Sequence, residues 1–443
     1  MKRLVLTVGI AVFALGLVSC PNQVDLGFID EAPALSVIWA DHFPLGNIIS
    51  PGYPVARMEL LARHFDILTA ENHMKPSHIQ ASPGGWNFGP ADGLIFSAQR
   101  QGIERFHGHT LVWHSQSPQW LAPAGDRAAA IRNLENYIET VMRHFDNRVE
   151  SWDVLNEVIA SWVNAAANPD ANPPVPALNA DNWRTRLRVV PNVSNQTNWH
   201  GVIGSDPDGD CFIWLSFTTA RRVADEMGRP DMILYYNDYN EEFPGKRRAI
   251  YYMVREMNER FARENNGRRL IDAVGMQAHY HRGPITEAGE TNADANWTAG
   301  LTVIDNVRDT IQLFASLGVY VSITELDLTV GDTQVRPLTP RQEREQAIMY
   351  ARLFQVFRDN SQYLRRVSIW GLDDPSSWRW RGSPVLFDGS LRPKEAFWAV
   401  ADPDAFVDPV TNQPRTAAQI DAFLENPQAN GSGFIPANAW DPR

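Results

Sequence analysis

Trp152-Asp153-Val154-Leu155-Asn156-Glu157 is the stretch from which the fold can be read. An apolar-rich run ends in an amide and a carboxylate, as a buried strand does when its carboxyl end opens onto a cleft. The pattern recurs along the chain. Short apolar runs lie at Phe43–Ile49, Ile67–Glu71, Arg105–Val112, Val149–Leu155, Met232–Asn237, Ala273–His279, Val319–Glu325 and Val367–Gly371. Near-continuous apolar runs suit strands covered on both faces. Between them fall longer helical patterns at Ala128–Phe145, Ile213–Met227, Lys246–Glu264, Val303–Leu317 and Arg341–Asn360. Gly228 and Gly318 stand where helix stops are expected. Alternating strands and helices predict βα units and a parallel sheet.

Eight such units over residues 35–403 predict an α/β fold of the (β/α)8 TIM-barrel type, as one catalytic domain. A doubly wound open sheet is the rival. The polar residues decide between them. Glu71, His109, Asn156–Glu157, Asn237–Asp238, Gln277–His279, Glu325 and Trp370 sit at the carboxyl ends of nearly all the strands. A barrel gathers all those ends on one face, whereas an open sheet gathers only those near its switch point. Ala165–Trp199, rich in Pro, Asn and Ala, reads as a long loop insertion after the fourth strand. Residues 404–443 read as a loosely ordered C-terminal extension with one helical stretch at Thr416–Glu425.

Forty basic residues against 52 acidic ones leave the 443-residue chain at -12. An acidic surface argues against a nucleic-acid partner, which favours a basic stripe. It also argues against a polybasic membrane mode and suits a neutral polymer. Fifteen tryptophans is a high count; core filling is the commoner fate per residue, and stacking platforms are expected beside it. Lys2 and Arg3 precede an uncharged apolar run, Leu4–Val18, which is too short to span a bilayer as a helix. The run ends Leu17-Val18-Ser19-Cys20, similar to a bacterial lipobox. Residues 1–19 are therefore expected to be a lipoprotein-type signal, Cys20 the lipidated residue and 20–34 a linker. The expected location is export to the cell surface or outer membrane, with a lipid at Cys20 as the sole membrane contact; the alternative is an ordinary signal peptide and a secreted protein. Cys211 would then be the remaining thiol, most simply a small buried hydrophobe.

Two glutamates, Glu157 and Glu325, stand 168 positions apart at strand ends. A single Glu at a strand end is usually a surface or salt-bridged residue. Two, each inside a distinctive polar and apolar string, suggest glycoside hydrolysis, which needs one carboxyl to protonate the leaving oxygen and another to attack or to activate water. The strings extend the case. They are Thr69-Ala70-Glu71-Asn72-His73-Met74-Lys75, Gly108-His109-Thr110-Leu111-Val112-Trp113-His114-Ser115-Gln116, Trp152–Glu157, Tyr236-Asn237-Asp238-Tyr239-Asn240, Gly275-Met276-Gln277-Ala278-His279, Ile323-Thr324-Glu325-Leu326-Asp327 and Trp370-Gly371.

In this order the seven strings resemble those of glycoside hydrolase family 10, the endo-1,4-β-xylanases. The resemblance implies a barrel with an extended cleft, xylan or xylo-oligosaccharides as substrate, and net retention of configuration. It implies Glu157 as acid/base and Glu325 as nucleophile. It implies His279 and Asp327 as support for the nucleophile, and Asn156 as the partner of the sugar 2-hydroxyl. Glu71, Asn72, Lys75, His109, Trp113, Gln277, His279, Trp370 and Trp378 resemble residues that hold the substrate. Lys75 has a structural alternative as an ion-pair partner of Glu71, and Trp370 and Trp378 as core. His73 and Pro76 depart from the family's usual acidic and aromatic residues. No cofactor and no metal are expected, because no spaced His/Cys ligand set appears. The expected state is a monomer. The alternatives are a retaining β-1,4-glucanase and a surface lipoprotein that binds glycans without cutting them.

Overall fold

The computed structural model describes residues 32–161, 163, 176–191, 193–205, 211–282, 285–286, 289–290, 301–330 and 337–440. The expected signal segment, Cys20 and most of the linker lie outside these residues, as does the first part of the insertion.

Eight parallel strands form the frame: β1 (Leu45–Ile49), β2 (Ile67–Ala70), β3 (Arg105–Val112), β4 (Ser151–Asn156), β5 (Ile233–Asp238), β6 (Ala273–Met276), β7 (Tyr320–Val330) and β8 (Leu364–Ile369). They pair in sequence order, and the sheet closes when β8 meets both β7 and β1. Val367 is opposite Ile323 on one side and Leu45 on the other. Closure excludes the open doubly wound sheet. Eight helices alternate with the strands: α1 (Val55–His64), α2 (Gly89–Gln99), α3 (Arg127–Phe145), α4 (Phe212–Glu226), α5 (Pro244–Glu264), α6 (Leu301–Ala315), α7 (Pro340–Asp359) and α8 (Glu395–Ala401).

Local chemistry accounts for these elements. Every position of β2, β4 and β6 is buried, so β2 and β6 read as apolar runs, while in β4 the buried Ser151 and Asp153 meet His107 and His109 of the adjacent strand. Asp126 caps α3 by accepting from the Ala129 amide, and Thr339 and Gln342 form a capping box at the start of α7. Gly228 and Gly318 follow α4 and α6 with φ of 73° and 72°, a left-handed stop that glycine adopts without steric cost. Gly108 is needed for another reason. A Cβ there would lie 2.2 Å from the Trp152 indole on the adjacent strand.

Three expectations need correction. The sixth strand stops at Met276 rather than His279. Ala278 turns through φ 59°, and His279–Arg282 forms a separate short strand against the far half of β7, with His279 opposite Asp327. The cause is β7, which runs on to Val330, so its last residues need a partner beyond the barrel rim. The eighth strand begins at Leu364 and ends before Gly371, which leaves it at φ 147°. The tail is not loose over its described residues. Thr416 caps a helix, Ala417–Glu425, whose Ile420 and Phe423 are fully buried. Buried Asp402 accepts from the backbone amide and hydroxyl of Ser432, and the Ala34 amide donates to Ala439. The polar composition of the tail concealed a few apolar anchors spaced for one helical face. They meet the barrel where the helices end, opposite the carboxyl ends of the strands.

Candidate active site

Glu325 lies at the middle of β7, at the rim of the barrel, and is almost fully buried. Its Oε1 accepts from Asn237 Nδ2 at 2.8 Å, and its Oε2 lies 3.1 Å from His279 Nε2. The other ring nitrogen of His279 lies 3.1 Å from Asp327 Oδ2. Burial opposes a charge on His279, but Asp327 and Glu325 outweigh it and push its pKa up to about 10. The ring is therefore an imidazolium at neutral pH. Burial also opposes the charge on Glu325. The hydrogen bond from His279 and the nearby His109 outweigh it and hold the carboxyl below its ordinary range. Asp327 is lowered too, against its burial, by His279 and Arg379. Trp378 Nε1 donates to Asp327 Oδ2 at 2.9 Å, and Arg379 donates to Oδ1. Glu325 is thus kept ionised by a chain of oriented charges.

Asn156 ends β4 and Glu157 follows it, and both face Glu325 across a set of amides. Gln277 Nε2 donates to Asn156 Oδ1 at 3.1 Å and to Glu157 Oε1 at 3.0 Å. Asn237 Nδ2 donates to Asn156 Oδ1 at 3.1 Å as well as to Glu325. Asn237 is itself oriented, because its Oδ1 accepts from Thr324 Oγ1 at 2.7 Å. Gly275 makes room for it, since a Cβ there would lie 2.3 Å from Asn237 Oδ1. Asn156 Nδ2 is buried and has no protein partner, so a donor is left for a ligand. His114 Nε2 lies 4.0 Å from Glu157 Oε2; burial and then Arg188 push this histidine down to about 4, so it is neutral.

The carboxylates open into a single cleft on this face of the barrel. Its walls hold Glu71, Asn72, Lys75, His109, Trp113, Asn156, Glu157, Gln277, His279, Glu325, Trp370 and Trp378. Every expected substrate-contacting residue therefore reaches one cavity. Asp327 stands behind His279 rather than in the wall. Lys75 does not pair with Glu71; its Nζ donates to Asn72 Oδ1 at 2.9 Å and lies 5.2 Å from the Trp113 ring centre. Burial lowers its pKa against the pull of Glu325, Glu71 and Glu157. Trp370 is buried edge-on to His109, whereas Trp378 is 58% exposed. Gln116, Tyr239, Asn240 and Arg379 also line the cleft without having been singled out from the sequence. Asn237, placed at a strand end from the sequence but given no role there, is the most consequential of these additions, since it bonds both Asn156 and Glu325. One trio could invite a metal, since His109, Asp153 and Glu325 bring ligand atoms within 4.8 Å. The His109 nitrogen there is already engaged, 2.8 Å from Asp153 Oδ2, in a protein hydrogen bond.

A closed parallel barrel with two glutamates converging among amides and indoles at the strand carboxyl ends defines a barrel glycosidase. Residues 35–403 match the profile of glycosyl hydrolase family 10, and the chain belongs to that family. It is 30% identical over 390 residues to an endo-1,4-beta-xylanase of Geobacillus stearothermophilus, covering 84% of this chain and 98% of that one. A Dictyoglomus thermophilum beta-1,4-xylanase is also 30% identical, over 85% of this chain and 94% of its own. Among solved structures, a GH10 xylanase with a bacterial Ig-like domain, from termite gut, matches with a TM-score of 0.66 and 31% identity. That match covers 84% of this chain and 78% of the other.

Proposed function

We propose that the chain hydrolyses internal β-1,4-xylosidic bonds of xylan by double displacement, with Glu325 as nucleophile and Glu157 as acid/base. The observation that carries the reading is the amide bridge. Asn156, Asn237 and Gln277 join the two carboxylates by a continuous run of hydrogen bonds, in a family whose relatives are named xylanases. In the first step Glu325 attacks the anomeric carbon while Glu157 gives its proton to the departing oxygen. The products are a glycosyl ester on Glu325 and a shortened chain. In the second step water attacks the ester, Glu157 takes a proton from that water, and Glu325 leaves as a carboxylate. The ester has no charge, so His279 and Asp327 act mainly before attack and after release. The free Asn156 amide suits the sugar 2-hydroxyl, whose hydrogen bond strengthens in the transition state. Trp370 and Trp378 offer faces for pyranose rings, and Lys75 and Glu71 offer polar partners for hydroxyls.

Incubation with arabinoxylan and with carboxymethylcellulose, followed by product sizing, tests the substrate. Short xylo-oligosaccharides from the first and little release from the second are expected. Preferential cutting of the cellulose derivative would replace xylan by a β-1,4-glucan. Proton NMR of the first product tests the mechanism, with the β-anomer expected and the α-anomer decisive against it.

The proposed setting is the cell surface, with residues 1–19 removed and a lipid on Cys20, and the proposed state is a monomer. The support is the basic start, the apolar run and the Leu17–Cys20 string. Cys20→Ala should move the protein from the membrane to the soluble fraction; identical partition of both forms refutes the anchor. Light scattering of the Cys20→Ala form should give the mass of one chain.

A further inference from the structure

Asn156 and Glu157 are neighbours in sequence, yet both reach the same Gln277 nitrogen. On an extended strand successive side chains point to opposite faces. They share a cleft because Glu157 leaves β4 in the left-handed region, at φ 58°. A non-glycine residue stays there only when its surroundings determine it. The placement of the carboxylate therefore depends on whatever holds this turn.

Two elements hold it. From β5, the Asn237 carbonyl accepts the Glu157 amide at 2.9 Å, and the Tyr236 hydroxyl accepts the Ile159 amide at 3.3 Å. From the insertion, the chain at 186–188 pairs with the residues just past the turn. The Arg188 amide donates to the Val158 carbonyl at 2.7 Å and the Ala160 amide to the Arg186 carbonyl at 2.8 Å. The Arg188 side chain then closes over the turn. Its Nε donates to the Glu157 carbonyl at 2.8 Å, its Nη1 to Ser161 Oγ at 3.2 Å, and its Nη2 to the Ile159 carbonyl at 3.2 Å and to the Tyr239 hydroxyl at 2.9 Å. One planar fork thus collects two carbonyls and a hydroxyl from residues 157–161 and ties them to the loop after β5. A lysine has no such fixed set of donors.

We propose that Arg188 is a positioning residue for Glu157, acting through the turn at 157–161, and that the insertion after β4 thereby belongs to the machinery that protonates the leaving group. This rests on the reading of Glu157 as acid/base. It predicts a chemical selectivity that a merely structural role would not produce. Xylotetraose has a sugar alkoxide as leaving group and needs a proton. A 2,4-dinitrophenyl β-xylobioside departs as a stable phenolate and does not.

The test is kcat/KM of Arg188→Ala and Arg188→Lys on both substrates, alone and combined with Glu157→Gln. Arg188→Ala should lose about tenfold to a hundredfold on xylotetraose, a part of the roughly 10²–10⁴-fold that general acid–base catalysis contributes. The loss on the dinitrophenyl substrate should be at least about tenfold smaller. Arg188→Lys should show the same bias, less strongly. In the Glu157→Gln background, Arg188→Ala should add no further loss on xylotetraose, since both act through one group. Equal losses on the two substrates, or losses that multiply in the double variant, overturn the proposal. Where Arg188→Ala does not fold by circular dichroism, the bias of Arg188→Lys decides. Absence of the bias in Glu157→Gln alone would instead refute the acid/base reading, whatever Arg188 does.

Discussion

His279 stands between Glu325 and Asp327, 3.1 Å from each, so one protonated ring faces two carboxylates. Its folded pKa of about 10 lies above the ordinary 6.5. The stability gained from its charge is therefore fully present below about pH 6.5 and is lost as pH rises towards 10. Melting curves from pH 6 to 10 should show the wild type losing its advantage over His279→Gln; a constant difference would contradict the charged ring. At Glu325 the expectation is catalytic. Glu325→Ala should abolish turnover of xylo-oligosaccharides, about 10⁴-fold or more for a lost nucleophile. Substantial residual activity under steady-state assay would remove it from that role. Glu157, Glu325, His279 and Asp327 were legible because each closes a short run whose neighbours announce it. Asn237 was less so, because the value of an amide lies in which two strands flank it. Arg188 left no mark, since an arginine in an irregular, polar stretch is ordinarily solvated.

At the scale of elements, the turns at the ends of β4 and β6 do the aiming. Each passes through a non-glycine residue with positive φ, Glu157 or Ala278. The first brings Glu157 to the face of Asn156, where period-two alternation would not put it, and the second ends β6 and opens the separate short strand that carries His279. The boundary of β6 could not be read from Ala273–His279, because the run stays compatible with a strand. Only the length of β7 shows that the chain must break and restart. β6 also carries Gly275, pressed between Asn237 and Thr324. In Gly275→Ala the added Cβ would lie 2.3 Å from Asn237 Oδ1 and 2.8 Å from Thr324 Cγ2. Overpacking of this kind costs about 1–3 kcal/mol. Thermal melting should register that cost. The displaced Asn237 should lower kcat on xylotetraose beyond what the melting shift explains, and unchanged kinetics would mean that Asn237 does not depend on this gap.

Across the whole molecule, the tail and the cleft occupy opposite ends of the barrel. Phe423 packs against Phe406 and Trp398, and Phe434 against Trp39, far from the strand carboxyl ends. Deleting residues 416–443 should remove at least two buried apolar side chains, each worth about 1.5–3 kcal/mol. The melting temperature should fall by several degrees, while kcat/KM measured well below it stays that of the full chain. A selective loss of activity would link the tail to the cleft. Apolar runs at regular intervals, with chemistry at their ends, determined eight βα units and the two carboxylates, because burial on both faces and strand polarity leave a direct imprint on composition. The closure of β8 onto β1, the break in β6, the amide bridge, the grip of Arg188 and the docking of the tail were decided only by the tertiary structure. Each is a contact between residues far apart in the chain, and its energy depends on distances that no local pattern encodes.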